Sequence, residues 1–192
     1  PPQEIIIDLQ FLKTLSEEDI YSGVGEAIKV HYLDPNMSHD LLFDKYTDLY
    51  SAKGVMTEII KNSLLIKKNI IEIDEFDTDY RNIMNYGHTF GHALEACTDY
   101  SIPHGICVSI GMSIANHVSH QMGLLSTNDY LKMGKLLEKH NNKFKFDFNA
   151  EMQDKYWSAL KRDKKNIGNN IGCILTKGFG KMFKMQMPLT EN

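Results

Sequence analysis

Apolar positions in this chain recur mostly at spacings of three and four, and only at its two ends do they cluster in the short runs of a strand. Ser16, followed by Glu17, Glu18 and Asp19, starts a helix with a capping hydroxyl and acids where the helix dipole favours them. That helix is predicted to run through Gly23 to about Leu33 and to stop before Pro35. Leu41, Leu42, Phe43, Tyr46 and Leu49 predict a helix between Ser38 and about Ser51. Val55, Ile59, Ile60, Leu64, Leu65 and Ile66 predict another from Lys53 to about Ile71. A thoroughly buried helix starts near His104 or Gly105, after the Pro103 turn. Further helices cover Ser126 to Leu137 and the stretch holding Trp157 and Leu160. The β-branched run Glu4–Asp8 predicts a strand, with a loop over Phe11–Leu15. Ile171–Leu175 and Met182–Met187, split by Lys177-Gly178-Phe179-Gly180, predict a hairpin. The expected fold is mostly α: one multi-helix domain over residues 1–192 with a short N-terminal strand and a C-terminal hairpin.

One predicted helix breaks the pattern. Between Arg81 and about Ala96 the aligned positions are polar rather than apolar. Arg81, Asn85, His88 and His92 stand at i, i+4, i+7 and i+11, and on a continuous helix they fall within an arc of about 60°. Gly87 and Gly91 lie in the same stretch, each costing about 1 kcal/mol relative to alanine in a helix interior. A polar stripe with glycines beside it predicts a site where another backbone or a ligand comes close.

Composition narrows the options. The 192 residues are 42% hydrophobic and 24% charged, with a formal net charge of −4. No basic run points to nucleic acid, and no apolar stretch reaches the roughly 20 residues of a membrane span. Cys97, Cys107 and Cys173 form no CxxC pair, so a reduced, cytoplasmic setting with the thiols as small core residues is expected. The start at Pro1-Pro2 suggests a piece of a longer protein.

Of eight histidines, His88, His92 and His104 have surroundings that suggest chemistry. His31, His39, His117, His120 and His140 read as surface residues. His88 and His92 at i and i+4 are a common zinc pair, with His104 and Glu26 as candidates for a further ligand. Three nitrogen and oxygen ligands leave the open position that a catalytic metal needs. Glu26 and Lys29 share a helix face and could equally be a plain surface ion pair.

The run Arg81-x-x-x-Asn85-x-Gly87-His88-Thr89-Phe90-Gly91-His92-Ala93-x-Glu95, followed by His104-Gly105, resembles the 3-dehydroquinate synthases and their sugar phosphate cyclase relatives. Phe11–Leu15, Gly25-Glu26-Ala27-Ile28-Lys29, Lys67 with Asp74-Glu75, and Asp163-Lys164-Lys165 follow in family order. Asp79-Tyr80 and Val30-His31 depart from the family pattern. The resemblance implies zinc, or cobalt, on Glu26, His88 and His104, with His92 off the metal. Lys67 and Arg81 would grip a substrate carboxylate, and Asn85, His92 and Lys164 or Lys165 its phosphate. Lys29 would lie by the hydroxyls near the metal, and Phe11, Leu12, Lys13 and Thr14 would line an NAD site.

The implied reaction turns 3-deoxy-D-arabino-heptulosonate 7-phosphate into 3-dehydroquinate and phosphate, in the shikimate route to aromatic amino acids. A homodimer and a separate N-terminal NAD-binding domain are also implied, so this piece alone would be inactive. Amino-dehydroquinate, 2-deoxy-scyllo-inosose and valiolone-type cyclases are the alternatives within the superfamily. The last two act on substrates without a carboxylate, against which Lys67 with Arg81 and Asn85 argues. A glycerol-dehydrogenase-like enzyme would lack the Arg-Asn-His-His set. A helical module that binds zinc without catalysis is the alternative from another class.

Overall fold

The computed structural model describes residues 3–36, 39–50, 53–163 and 166–189. Seven α-helices and one hairpin run in the order α1 (Glu17–Leu33), α2 (His39–Lys45), α3 (Lys53–Ile73), α4 (His88–Cys97), α5 (His104–Gln121), α6 (Thr127–Asn141), α7 (Ala150–Lys161), β1 (Asn170–Thr176) and β2 (Met182–Pro188) among these residues. The helices start where capping chemistry places them. Ser16 Oγ accepts from the Asp19 amide at 3.1 Å, Ser126 Oγ from Asp129 at 3.1 Å, and Asn149 Oδ1 from Met152 at 3.0 Å. β1 and β2 pair antiparallel, Asn170 opposite Pro188 and Thr176 opposite Met182.

α5 is the axis of the domain and packs against α1, α4, α6 and β1. Val24, Ile28 and Tyr32 of α1, Met112 and Ala115 of α5, and Met133 and Leu137 of α6 are buried together in one core. The hairpin closes its end: Thr89 Oγ1 donates to the Gly172 carbonyl at 3.0 Å, and the Gly180 amide donates to Tyr32 O at 2.8 Å.

Two crossings on α5 bring backbone against backbone. A Cβ on Gly105 would stand 1.9 Å from Ser22 O, and one on Gly25 would stand 2.2 Å from Gly105 O. The Gly105 amide, free at the start of α5, donates to Ser22 Oγ of α1 at 2.8 Å. Half a helix further on, a Cβ on Gly111 would stand 2.0 Å from Gly87 O, and one on Gly91 would stand 2.9 Å from Cys107 O. Glycine is required at these places by the approach of the helices.

Several expectations are corrected. Arg81 to His92 is not one helix. Tyr80–Asn85 is a short 3-10 helix, Tyr86 is extended, and Gly87 takes φ +80 before α4 starts at His88. The polar stripe is therefore split, Arg81 and Asn85 on the 3-10 helix and His88 and His92 on α4. Glu4–Asp8 forms no strand, because no neighbouring strand pairs with it, and Ile5, Ile6 and Ile7 are exposed. Leu9–Thr14 is a 3-10 helix rather than a loop. The Ser38–Ser51 helix ends at Lys45 and continues as a 3-10 turn over Tyr46–Asp48, while Ser38 and Ser51 lie outside the described residues. His31, His39 and His140 are buried, not on the surface. His140 extends the apolar face of Met133 and Leu137, and its Nδ1 meets Tyr46 Oη at 2.9 Å. His117 is exposed as expected, and His120 is half-buried, stacked on Tyr130.

Gly111→Ala should destabilise the fold by about 1–3 kcal/mol through overpacking. Gly134→Ala, on α6 with nothing within 4 Å of the added Cβ, should be neutral or stabilising by up to about 1 kcal/mol; urea unfolding of the two variants checks the contrast. Burial, reinforced by the Lys143 charge, pushes the His140 imidazole down to about 4. The unfolded chain binds a proton there below about 6.5 and the fold does not until about 4, so stability falls as pH drops through that window. His140→Gln should flatten part of that fall between pH 7 and 5 in the same unfolding measurement.

Candidate metal centre

The two glycine crossings deliver the candidate ligands. Glu26 follows Gly25 on α1, His104 precedes Gly105 at the start of α5, and His88 follows Gly87 at the start of α4. One donor atom from each of His88, His92 and His104 lies within 4.8 Å of the others. Glu26 joins the group from α1, its Oε1 3.7 Å from His104 Nε2.

Three observations test whether this set suits a divalent metal. Glu26 Oε1 is buried without a hydrogen-bond partner, while Oε2 accepts from Lys29 Nζ at 2.8 Å. His88 Nδ1 faces Tyr86 O at 3.2 Å, a contact that makes Nδ1 the protonated nitrogen and leaves Nε2 as the donor. His104 Nδ1 lies 2.5 Å from Glu95 Oε1, which orients the His104 ring in the same sense. An orphaned carboxylate oxygen facing imidazoles held by their far nitrogens fits a metal of the zinc and cobalt type.

The electrostatics agree with the geometry. Burial, with the Lys29 charge behind it, pushes the His88 imidazole down to about 3, so it is neutral and able to ligate. Burial raises the Glu26 carboxyl, but the charge and hydrogen bond of Lys29, with His88 and His104, outweigh it and hold the pKa below its ordinary value. Lys29 is 3% exposed, and burial lowers its pKa despite Glu26, with the charge of Lys67 adding to the effect. Lys67 stands exposed on α3 within reach of that influence.

Arg81 and Asn85 sit on the 3-10 turn leading into the site, both half-buried. Arg81 Nη1 donates to Glu75 O at 2.8 Å. The approach is knotted by Asp74, whose carboxylate accepts from the amides of Thr78, Asp79 and Arg81 at 2.9–3.0 Å and from Thr78 Oγ1 at 3.2 Å. These bonds, the Asp79 amide first, lower its pKa to about 2. The acidic run before Arg81 is thus organised at Asp74 rather than merely solvated. Asn85 lines a small hollow with Asn82, Thr89 and the hairpin residue Lys184, whose Nζ lies 3.4 Å from Asn82 Oδ1. Leu12 and Lys13 line a groove of about 620 Å³ with Ile20, Leu49, Tyr50 and Met56. Phe11 is exposed, and Thr14 Oγ1 turns back to Phe11 O at 3.1 Å. Lys164 and Lys165 lie outside the described residues.

Glu95, Asp74, Tyr86 and Lys184 carried no role in the sequence reading. Glu95 had a usable signal: His88, His92 and Glu95 stand at i, i+4 and i+7 on α4 and share a face. The Lys184 contact depends on tertiary structure that spacing does not encode, and the Tyr86 contact on the local turn at Gly87.

The model of the family described as 3-dehydroquinate synthase C-terminal matches residues 23–166. The chain belongs to that family. It is 36% identical over 181 residues to the 3-dehydroquinate synthase of Helicobacter pylori strain P12, covering 93% of this chain and 50% of the relative. It is 35% identical over 184 residues to that of Dictyoglomus turgidum, covering 94% and 51%. The chain thus spans about half the length of the relatives it matches. Among solved structures, 2-deoxy-scyllo-inosose synthase complexed with carbaglucose-6-phosphate, NAD+ and Co2+ aligns with a TM-score of 0.78 and 24% identity, over 95% of this chain and 52% of that one. The 2-epi-5-epi-valiolone synthase of Streptomyces hygroscopicus subsp. jinggangensis 5008, with NAD+ and Zn2+ bound, aligns at 0.70 and 19%, over 96% and 51%. These two likenesses confirm the mostly helical fold of this family domain.

Asp74→Ala should free the turn ahead of Arg81. Amide hydrogen exchange at Thr78, Asp79 and Arg81 should speed up while α4 keeps its protection; equal protection in both proteins would show that the carboxylate does not hold the turn.

Proposed function

We propose that this chain is the metal- and substrate-binding half of a 3-dehydroquinate synthase, converting 3-deoxy-D-arabino-heptulosonate 7-phosphate to 3-dehydroquinate and phosphate. The observation that carries the reading is the buried, unpartnered Glu26 Oε1 facing His104 Nε2, beside a neutral His88. In this reading Glu26, His88 and His104 hold zinc or cobalt. The metal and NAD together supply reversible oxidation of one carbinol, which makes the neighbouring C–H acidic enough for phosphate to be eliminated.

The chain's own residues then bind and orient. Arg81, steadied through its backbone by Asp74, meets the substrate carboxylate in two parallel hydrogen bonds, with Lys67 as the second cation. Lys29 sits beside the metal and orients the substrate hydroxyls. His92 and Asn85, with Lys164 or Lys165, hold the phosphate end, where the leaving phosphate itself can take the proton. Phe11, Leu12, Lys13 and Thr14 border the NAD site, completed by an N-terminal nucleotide-binding domain. A cytoplasmic homodimer completes the proposal. The three cysteines are free thiols, in keeping with a reducing compartment, and no helix among the described residues is long and apolar enough to cross a membrane.

The set His88, His92 and His104 is a second possible ligand triad, favoured by the clustering of their donor atoms. His92→Ala separates the two: metal content should survive it if Glu26 is the third ligand and fall with it otherwise. The main test is phosphate release by the full-length protein with NAD and zinc or cobalt. The heptulosonate phosphate should turn over and a neutral hexose phosphate should not; the reverse outcome assigns a carboxylate-free cyclase instead. Arg81→Ala should lower kcat/KM by about 10²-fold or more with the metal retained. Metal binding without turnover of any sugar phosphate would leave a non-catalytic zinc module.

A further inference from the structure

We propose that Glu95 is a positioning residue for the metal centre, holding His104 by its Nδ1–H so that Nε2 is presented as a fixed and strengthened donor. The proposal rests on the metal reading above. Glu95 lies on α4, 8% exposed, and its Oε1 is 2.5 Å from His104 Nδ1. His104 is the first residue of α5, after Pro103, with an exposed ring. A ring at a helix start is not held by its own element, and the positive end of the helix dipole opposes positive charge on it. The Glu95 carboxylate counters both effects, fixing the tautomer and raising the basicity of the other nitrogen.

The partner on the far side of His104 supports this role over a plain ion pair. Nε2 faces Glu26 Oε1 at 3.7 Å, and that oxygen accepts no hydrogen bond. If Glu95 served only to pair with a charged imidazole, Nε2–H would be free to close on the waiting Glu26 oxygen. Instead both stand apart, as two donors do around a shared cation. His88 is held in the same sense by a backbone carbonyl, that of Tyr86. The two imidazoles therefore differ in support: a neutral acceptor behind His88 and a carboxylate behind His104. The position of His104 thus depends on a side chain that can be changed without touching the backbone. His92, one turn before Glu95 on α4, lies against the His104 ring, with centroids 5.7 Å apart.

Cobalt titration of the full-length, metal-depleted protein, followed by the visible spectrum of bound Co2+, tests the role. Glu95→Gln keeps the size and a neutral acceptor, and should weaken cobalt binding by about 10–100-fold with an altered spectrum. Urea unfolding of the metal-free variant should match that of the wild type. Glu95→Asp, which keeps the charge but shortens the reach, should recover part of the affinity. Equal affinity and an unchanged spectrum in Glu95→Gln overturn the proposal while leaving the metal centre standing. No cobalt uptake by the wild type overturns the metal reading itself, and this role with it. Should Glu95→Gln fail to fold, imidazole 15N shifts of the metal-free wild type decide: a neutral His104 protonated at Nδ1 upholds the role, and one protonated at Nε2 overturns it.

Discussion

Gly25 and Gly105 meet where no side chain fits, and the chemistry of the domain depends on that approach. Glu26 and His104 are the residues next to these glycines, so the distance between the two backbones that carry these proposed ligands is set by a helix crossing. The second crossing, Gly111 against Gly87 and Gly91, sets α4 on the same axis and brings His88 in. If the site binds a metal as proposed, it is organised before the ion arrives. Electrostatic sites gain from such preorganisation, because nothing has to be rearranged when charge appears. The constraint also explains why glycine is tolerated inside α1, α4 and α5, where each residue would otherwise weaken its helix.

Around that frame the charges are arranged in opposition. Lys29 takes one oxygen of Glu26 and leaves the other open. Its buried ammonium also helps keep His88 neutral, and Lys67 acts on it from α3. On the other side, Asp74 collects three amides and a hydroxyl and turns the chain into the segment that carries Arg81 and Asn85. The proposed metal ligands are thus placed by helix packing, and the proposed substrate residues Arg81 and Asn85 by a hydrogen-bonded turn.

Much of this was legible from residue order. Capping serines and the apolar spacing located α1, α5, α6 and the hairpin, because those signals are local. The break at Gly87 was not legible: glycine is compatible with either a helix or a left-handed turn, and the choice comes from the contact with Val108 and Met112. Neither was the fate of Ile5–Ile7, since strand propensity means little without a partner strand. His140 was misplaced although its spacing from Met133 and Leu137 put it on the apolar face; its neighbours Lys139 and Asn141 masked that pattern. For the site, the motif named Glu26, His88, His92 and His104, and the structure brings all four together. Of the supports behind them, the Glu95 carboxylate was hinted at by its place on the face of His88 and His92, whereas the Tyr86 carbonyl, two residues from His88, reaches that ring only because the chain turns at Gly87.

Cys97 and Cys107 are buried on α4 and α5, the helices that carry the imidazoles, with Sγ of Cys97 donating to Leu94 O at 3.2 Å. Burial raises both thiols, and the nearby Glu95 carboxylate helps push Cys107 up to about 12. Thiols kept protonated are poor nucleophiles and poor ligands for soft ions. Both sulfur atoms are thus held as thiols close to the candidate ligands. Where Glu26, His88 and His104 hold a metal as proposed, no thiolate then stands ready beside them to compete for it.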